Sequence, residues 1–166
     1  MKIRSMQPED IQALSEGFAA QGWQPRQEVW RRYLEEEAAG KRATFVAEID
    51  GRAVGYVNLV YAPEHGPFAG SGLPEISDFN VIAPYRRQGV GKALMDAAEE
   101  AAARDYEAVT IGVGLHSGYG SAQRMYIKRG YIPDGSGVWY RDRLAAEGEA
   151  VANDDDLVLY LSKKLR

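Results

Sequence analysis

The sequence predicts a mixed α/β fold in which a central sheet of about seven strands is flanked by about four helices. Two strand-like runs early in the chain meet at a tight-turn dipeptide, Asp50-Gly51, and later strands alternate with helical patterns. No second composition regime and no internal repeat interrupts residues 1–166, so a single domain is expected.

Met1 to Met6 reads as a short strand ending before Pro8, and Ile11, Leu14 and Phe18 then recur at helical spacing up to Gly22. A second helix is expected after Pro25, with Val29, Trp30, Tyr33 and Leu34 as its apolar stripe and Glu28, Arg32 and Glu36 as i,i+4 pairs. Thr44–Ile49 and Ala53–Val60 are rich in Val, Phe and Tyr and form the hairpin across Asp50-Gly51. Tyr61 to Gly72 carries Pro and Gly without periodicity and reads as a surface loop. Leu73–Ile82 is the next strand, followed by a long helix over Gln88–Arg104 whose inner face, Val90, Ala93, Leu94, Ala97, Ala98 and Ala101, is small enough to lie close on a sheet. Tyr106–Leu115 reads as a strand, Ser121–Arg129 as a helix closed by Gly130, and Val138–Arg143 and Leu157–Leu165 as strands. Leu144 to Asp156 fits either a helix or an exposed insertion.

A chain of 166 residues hides roughly 70% of its unfolded surface on folding and needs no staple. It has no cysteine, which excludes disulfides, a catalytic thiol and thiolate metal sites, and the cytoplasm is the expected compartment. Glu9 and Asp10 follow Lys2 and Arg4 before any apolar run, unlike a secretory signal, and no apolar stretch approaches the ~18 residues of a membrane span. A formal charge of −4 argues against a broad nucleic-acid surface and suits a cationic amine. His65 and His116, the two histidines, are far apart in sequence, so no metal is expected.

The run Glu75-Ile-Ser-Asp-Phe-Asn-Val-Ile-Ala-Pro-Tyr-Arg-Arg-Gln-Gly-Val-Gly-Lys-Ala-Leu-Met95 is a strand, a turn opened by Pro84, and a helix starting at two glycines. The unpaired N–H groups of a helix N-terminus point one way and the helix dipole adds positive charge, which suits a phosphate or pyrophosphate. Gly89 and Gly91 let a ligand approach the backbone, and Arg86, Arg87 and Lys92 add charge beside the turn. A glycine pair at a helix start is by itself more often a plain turn. Along its whole length, however, this run resembles motif A of the GNAT superfamily of acetyl-CoA-dependent N-acetyltransferases. Downstream, Ala122-x-x-Met125-Tyr126-x-x-x-Gly130-Tyr131 resembles the family's motif B helix. The likeness is specific over about residues 73–131, and the order of the flanking strands agrees with it.

The resemblance implies a mostly antiparallel sheet and acetyl-CoA as co-substrate. Its pyrophosphate would sit on the amides from Arg87 through Gln88, Gly89, Val90 and Gly91 to Lys92, and its pantetheine arm would pair with the strand Phe79, Val81, Ile82, Ala83. Glu75 matches the position of the general base that relieves a protonated amine of its proton. Tyr126 matches the general acid that protonates the departing thiolate, and an amide near Phe79 would hold the oxyanion. Tyr119 stands where many members carry Asn, so that polar contact to the cofactor either comes from elsewhere, with Ser117 and Ser121 as candidates, or is absent. Asp78 is a second strand carboxylate, and in an ideal strand it would face away from Glu75.

The chemistry expected is direct transfer to a primary amine, of a small molecule or a peptide, in a ternary complex, because no cysteine can carry the acetyl group. A module that binds acyl-CoA without turnover is the alternative. His116 could serve as a different base, and Trp23, Trp30, Tyr33, Trp139 and Tyr140 are candidates for an acceptor pocket, although core packing explains most of them more simply. Family habit suggests a homodimer.

Overall fold

The computed structural model describes every residue except Pro25, so the expected helix start at that proline lies outside the described residues. The strands are β1 (Lys2–Ser5), β2 (Arg42–Ile49), β3 (Arg52–Val60), β4 (Glu75–Val81), β5 (Ala108–Gly114), β6 (Ile132–Tyr140), β7 (Arg143–Leu144) and β8 (Leu157–Lys164). The helices are α1 (Asp10–Ala20), α2 (Gln27–Ala38), α3 (Val90–Asp105) and α4 (Gly120–Lys128). One sheet runs in the order β1-β2-β3-β4-β5-β8-β6-β7. Every neighbouring pair is antiparallel except β4 and β5.

The alternation of apolar residues in β3 explains the two layers around the sheet. Val57 and Leu59 face α3 in a cluster with Ile76, Leu94, Ala98, Ile111 and Tyr126. Tyr56 faces the other way, among Leu14, Phe18, Trp30, Tyr33 and Ile82 under α1 and α2. The alanines of α3 allow close approach: Ala98 and Ala102 are fully buried against the sheet. No helix among the described residues is long and apolar enough to cross a membrane.

Three expectations change in detail. The sheet has eight strands rather than about seven, because Arg143–Leu144 folds back on Trp139–Tyr140 as a two-residue strand. The expected strand Val138–Arg143 therefore ends at Tyr140, where Arg141 and Asp142 both take positive φ (49° and 61°) and turn the chain. Upstream, β6 starts earlier than Asp134-Gly-Ser-Gly137 suggests, with its ladder to β8 irregular between Pro133 and Val138. The segment between β7 and β8 is an insertion and not a helix: Gly148 sits at φ 77° and Arg143 pairs with Glu149 across a turn.

A charged knot ties α3, α4 and β8 together behind the sheet. Glu99 is 8% exposed and accepts from Arg129 Nε (2.8 Å), Arg129 Nη2 (2.9 Å) and Lys163 Nζ (2.6 Å). Burial pushes the Glu99 carboxyl up, but the bonds from Arg129 and Lys163 outweigh it and hold the group below its ordinary 4.5. A depressed carboxyl stabilises the fold above its unfolded pKa and loses that contribution as pH falls through the folded value. Glu99→Gln should therefore lower the melting temperature most at neutral pH, with the gap to wild type closing in acid. A gap independent of pH would show that the charge is not what holds the knot.

Where β3 meets β4, Gly55 lies so close to the neighbouring strand that an added Cβ would stand 2.8 Å from the Asn80 carbonyl oxygen and 3.2 Å from Val81 Cα. Both atoms are backbone and cannot swing aside. Gly55→Ala should cost about 1–3 kcal/mol, read as a lower urea midpoint at unchanged slope.

Candidate active site

Strands β4 and β5 run parallel but pair only at Glu75–Thr110 and Ile76–Ile111, and beyond these residues they diverge. The closed end of this splay is pinned at the Pro74 carbonyl, which accepts from both the Thr110 N–H (2.9 Å) and Thr110 Oγ1 (3.0 Å). On its other edge β4 pairs with β3, and between Ser77 and Asn80 the two residues Asp78 and Phe79 stand opposite Val57 alone. This is a bulge, with Asp78 at φ 43°.

The bulge shifts the alternation of the strand. Before it, the Pro74 bond to Thr110 means that Ile76 also turns its peptide groups toward β5, while Glu75 and Ser77 turn theirs toward β3. After it, Ile82 N–H bonds the Val54 carbonyl at 2.9 Å, so the even-numbered residues now face β3. Phe79 and Val81 are left facing the open edge, and the Val81 carbonyl there accepts Arg86 Nε at 2.8 Å. Of the expected strand Phe79–Ala83, then, Phe79 and Val81 line the splay. The amide of Ile82 is spent on β3 and that of Ala83 on Oε1 of Gln21, the residue that follows α1, at 2.8 Å.

The same bulge overturns the expectation that Glu75 and Asp78 face apart. Ile76 packs under α3, so Glu75 and Ser77 lie on the opposite face; Asp78 reaches that face too, where Tyr33 and Tyr56 donate to it. Burial first, and then the like charge of Asp142, pushes the Glu75 carboxyl up to about 7. Asp142 comes from the β6–β7 turn, which nothing in the sequence marks as a turn. Tyr160 of β8 completes this corner: Phe68, Trp139 and Gly66 pack on its ring, and burial followed by the charge of Glu75 pushes its phenol up to about 12.

At the other end of the splay the chain makes a 3-10 turn over Ala83–Tyr85 and enters α3 through Arg87 (φ 59°) and Gly89 (φ 83°). The first helical bond runs from Ala93 N–H to the Gly89 carbonyl, which leaves the amides of Val90, Gly91 and Lys92 without helical acceptors, and no side chain caps them. Gly91 presses on Phe79, since a Cβ there would lie 3.0 Å from the ring, while Gly89 opens onto free space. Arg86 also lies over the Trp23 ring at 5.8 Å, Gln88 donates to the Pro84 carbonyl, and Lys92 pairs with Asp96.

Tyr126 of α4 approaches from the α3 face, 5% exposed and packed against Tyr131 with ring centroids 5.9 Å apart. Burial, and then nearby Tyr119, raises its phenol, which keeps the proton on at any working pH. Glu75 and Tyr126 thus belong to opposite faces of the sheet, and the splay is the break between them. Ser121 is exposed on the first turn of α4. Tyr119 donates to Asp155 (3.0 Å), which also bonds His116 Nε2 (2.8 Å), and His116 Nδ1 accepts from Gly118 N–H (3.0 Å). His116 is therefore tied to the segment before β8. Of the aromatic candidates, Trp30 is core, Trp23 is exposed and stacked on Phe18, and Trp139 lies edge-on to Tyr160.

Solved structures share this architecture. A ribosomal-protein-alanine N-acetyltransferase from Brucella melitensis superposes with a TM-score of 0.71 at 19% identity, over 99% of each chain. An N-acetyltransferase from Staphylococcus aureus gives 0.71 at 17%, covering 99% of this chain and 98% of its own. The yncA protein of Salmonella typhimurium, solved with its cofactor acetyl-CoA, gives 0.71 at 16%, covering 100% and 94%. No curated protein sequence matches the chain. The family model described as the acetyltransferase (GNAT) family matches residues 10–131, which takes in α1, the bulged strand, the α3 entrance and α4. With that match spanning well over half of its length, the chain belongs to the GNAT family of acetyltransferases.

Proposed function

We propose that this protein moves an acetyl group from acetyl-CoA to a primary amine, of a small molecule or a peptide, by direct attack in a ternary complex. The observation that carries the reading is Glu75, a carboxyl brought to about 7 at the closed end of the splay. The residues present fit the cofactor. Three amides without helical acceptors would meet a phosphate at α3, Gly89 opens onto free space, and Gly91 lets the helix start close against Phe79. Phe79 and Val81 lie on a strand edge that β5 leaves unpaired, with the Val81 carbonyl held by Arg86, and this edge could take an extended chain.

Acetyl-CoA supplies an activated thioester. Glu75 takes the proton that an ammonium must lose before its nitrogen can attack, and a carboxyl near 7 is matched to that task at neutral pH. The Phe79 N–H holds the negative charge that gathers on the acetyl oxygen. Tyr126 gives its proton to the departing sulfur and recovers it from solvent. His116, tied to Asp155 and to the Gly118 amide, serves the shape of the splay mouth and not the proton transfer.

Thiol release from acetyl-CoA across a panel of amines tests the activity directly, since a chain without cysteine gives no background with thiol reagents. Release should depend on one amine class, with intersecting double-reciprocal lines; parallel lines would rule out direct attack. Tight binding with no release on any amine would favour an acyl-CoA sensor instead.

For Glu75→Gln, kcat should fall by about 10²–10⁴ with acetyl-CoA affinity unchanged, and the rise of kcat/KM through pH about 7 should vanish. Because folding raises this pKa from 4.5, its contribution to stability is present below 4.5 and lost as pH rises through about 7. The Gln variant should therefore melt no lower than wild type at pH about 8. An unchanged rate profile would remove Glu75 as the base.

A further inference from the structure

Asp78 is the most heavily bonded carboxylate on the Glu75 face. Its Oδ2 accepts from Tyr33 (2.7 Å) and Tyr56 (2.9 Å), and its Oδ1 from Arg26 (2.8 Å) and Asn80 (3.0 Å). Four donors match the roughly four lone-pair sites that a carboxylate offers. Burial, and then the charge of Asp78, raises both phenols, so they keep their protons and donate. The hydrogen-bonding capacity of Asp78 is thus spent inside the protein, which marks it as a structural carboxylate beside Glu75.

The saturated carboxylate sits at the one residue of β4 with a left-handed backbone, φ 43°. Asp tolerates that region better than most side chains, at a cost that the surrounding bonds must offset. Its donors come from the α2 end of the chain, from β3 and from β4 itself, so the clamp fixes the bulge from three directions. The shift in alternation at this bulge is what turns Phe79 toward the splay.

We propose that Asp78 is a positioning residue: clamped by Tyr33, Tyr56, Arg26 and Asn80, it holds the bulge that aims the Phe79 N–H at the acetyl oxygen, and through Tyr33 it ties that amide to α2. The inference rests on the acetyl-transfer reading above. It makes α2, which covers the Glu75 face, a lever on the polarity of the site across the strand.

Two substitutions separate this role from plain stability. Tyr33→Phe removes one donor and keeps the packing. Asp78→Gly keeps the positive φ and removes the clamp. In both, kcat should fall by roughly 10- to 100-fold while KM for acetyl-CoA stays within about threefold, because a displaced donor costs the transition state and not the binding of the cofactor's other end. Asp78→Asn, which keeps the left-handed backbone and one acceptor oxygen, should fall between wild type and Asp78→Gly. The spectroscopic readout is the thioester carbonyl stretch of 13C-labelled acetyl-CoA bound to the full chain. It should be shifted from its solution frequency in wild type and move back toward it in the variants. If wild type is shifted and both Tyr33→Phe and Asp78→Gly match it in stretch and kcat, with only melting temperature lowered, this inference fails alone. If wild type binds no acetyl-CoA, the acetyl-transfer reading fails and takes the inference with it.

Discussion

One residue too many in β4 organises this molecule. A regular strand at that place would keep its register with β3, present Asp78 to the α3 side, and turn the amide of Asn80, not those of Phe79 and Val81, toward β5. The bulge opposite Val57 reverses both assignments at once. It also coincides with the point where β4 parts from its parallel neighbour, so the freed edge lies between two faces that each carry a titratable group. Glu75 belongs to one of these faces and Tyr126 to the other, and the sheet is open between them.

Burial does much of the electrostatic work. Glu75 has no charged partner to hold it ionised; it has a low-polarity setting and a like charge from Asp142, and both push the same way. Asp78, a few residues along the same strand, meets the opposite treatment, with every lone pair occupied. Two carboxylates on one face thus meet opposite surroundings, the first raised by burial and a like charge and the second ringed by donors.

Much of this was legible in the sequence wherever local chemistry decides the structure. Asp50-Gly51 marks the β2–β3 hairpin, the alanines of α3 mark a helix laid close on a sheet, and Gly89 and Gly91 mark the helix entrance. What was not legible depends on contacts between distant segments. No pattern in Ser77-Asp78-Phe79 announces a bulge, because its φ of 43° is held by tyrosines 45 and 22 residues away. Nor does Arg141-Asp142 look like the turn that brings a carboxylate to Glu75. The stretch before β8 reads as a helix as easily as a loop until Gly148 and the Arg143–Glu149 pair settle it.

That stretch leaves the sheet and rejoins it at neighbouring points, since Tyr140 and Leu157 are ladder partners. Its two ends are held together by the sheet whatever lies between them, and closing a longer or shorter connection costs little because the entropic term grows only with the logarithm of length. Between β7 and Asp155 the insertion is thus a cassette whose length can drift, while its two ends stay bound to the site, Asp142 beside Glu75 and Asp155 beside His116. Its inner end, through Asp155, already touches His116 and Tyr119 at the mouth of the splay. In this architecture the part of the chain that can change most cheaply stands at the doorway to the part that can change least.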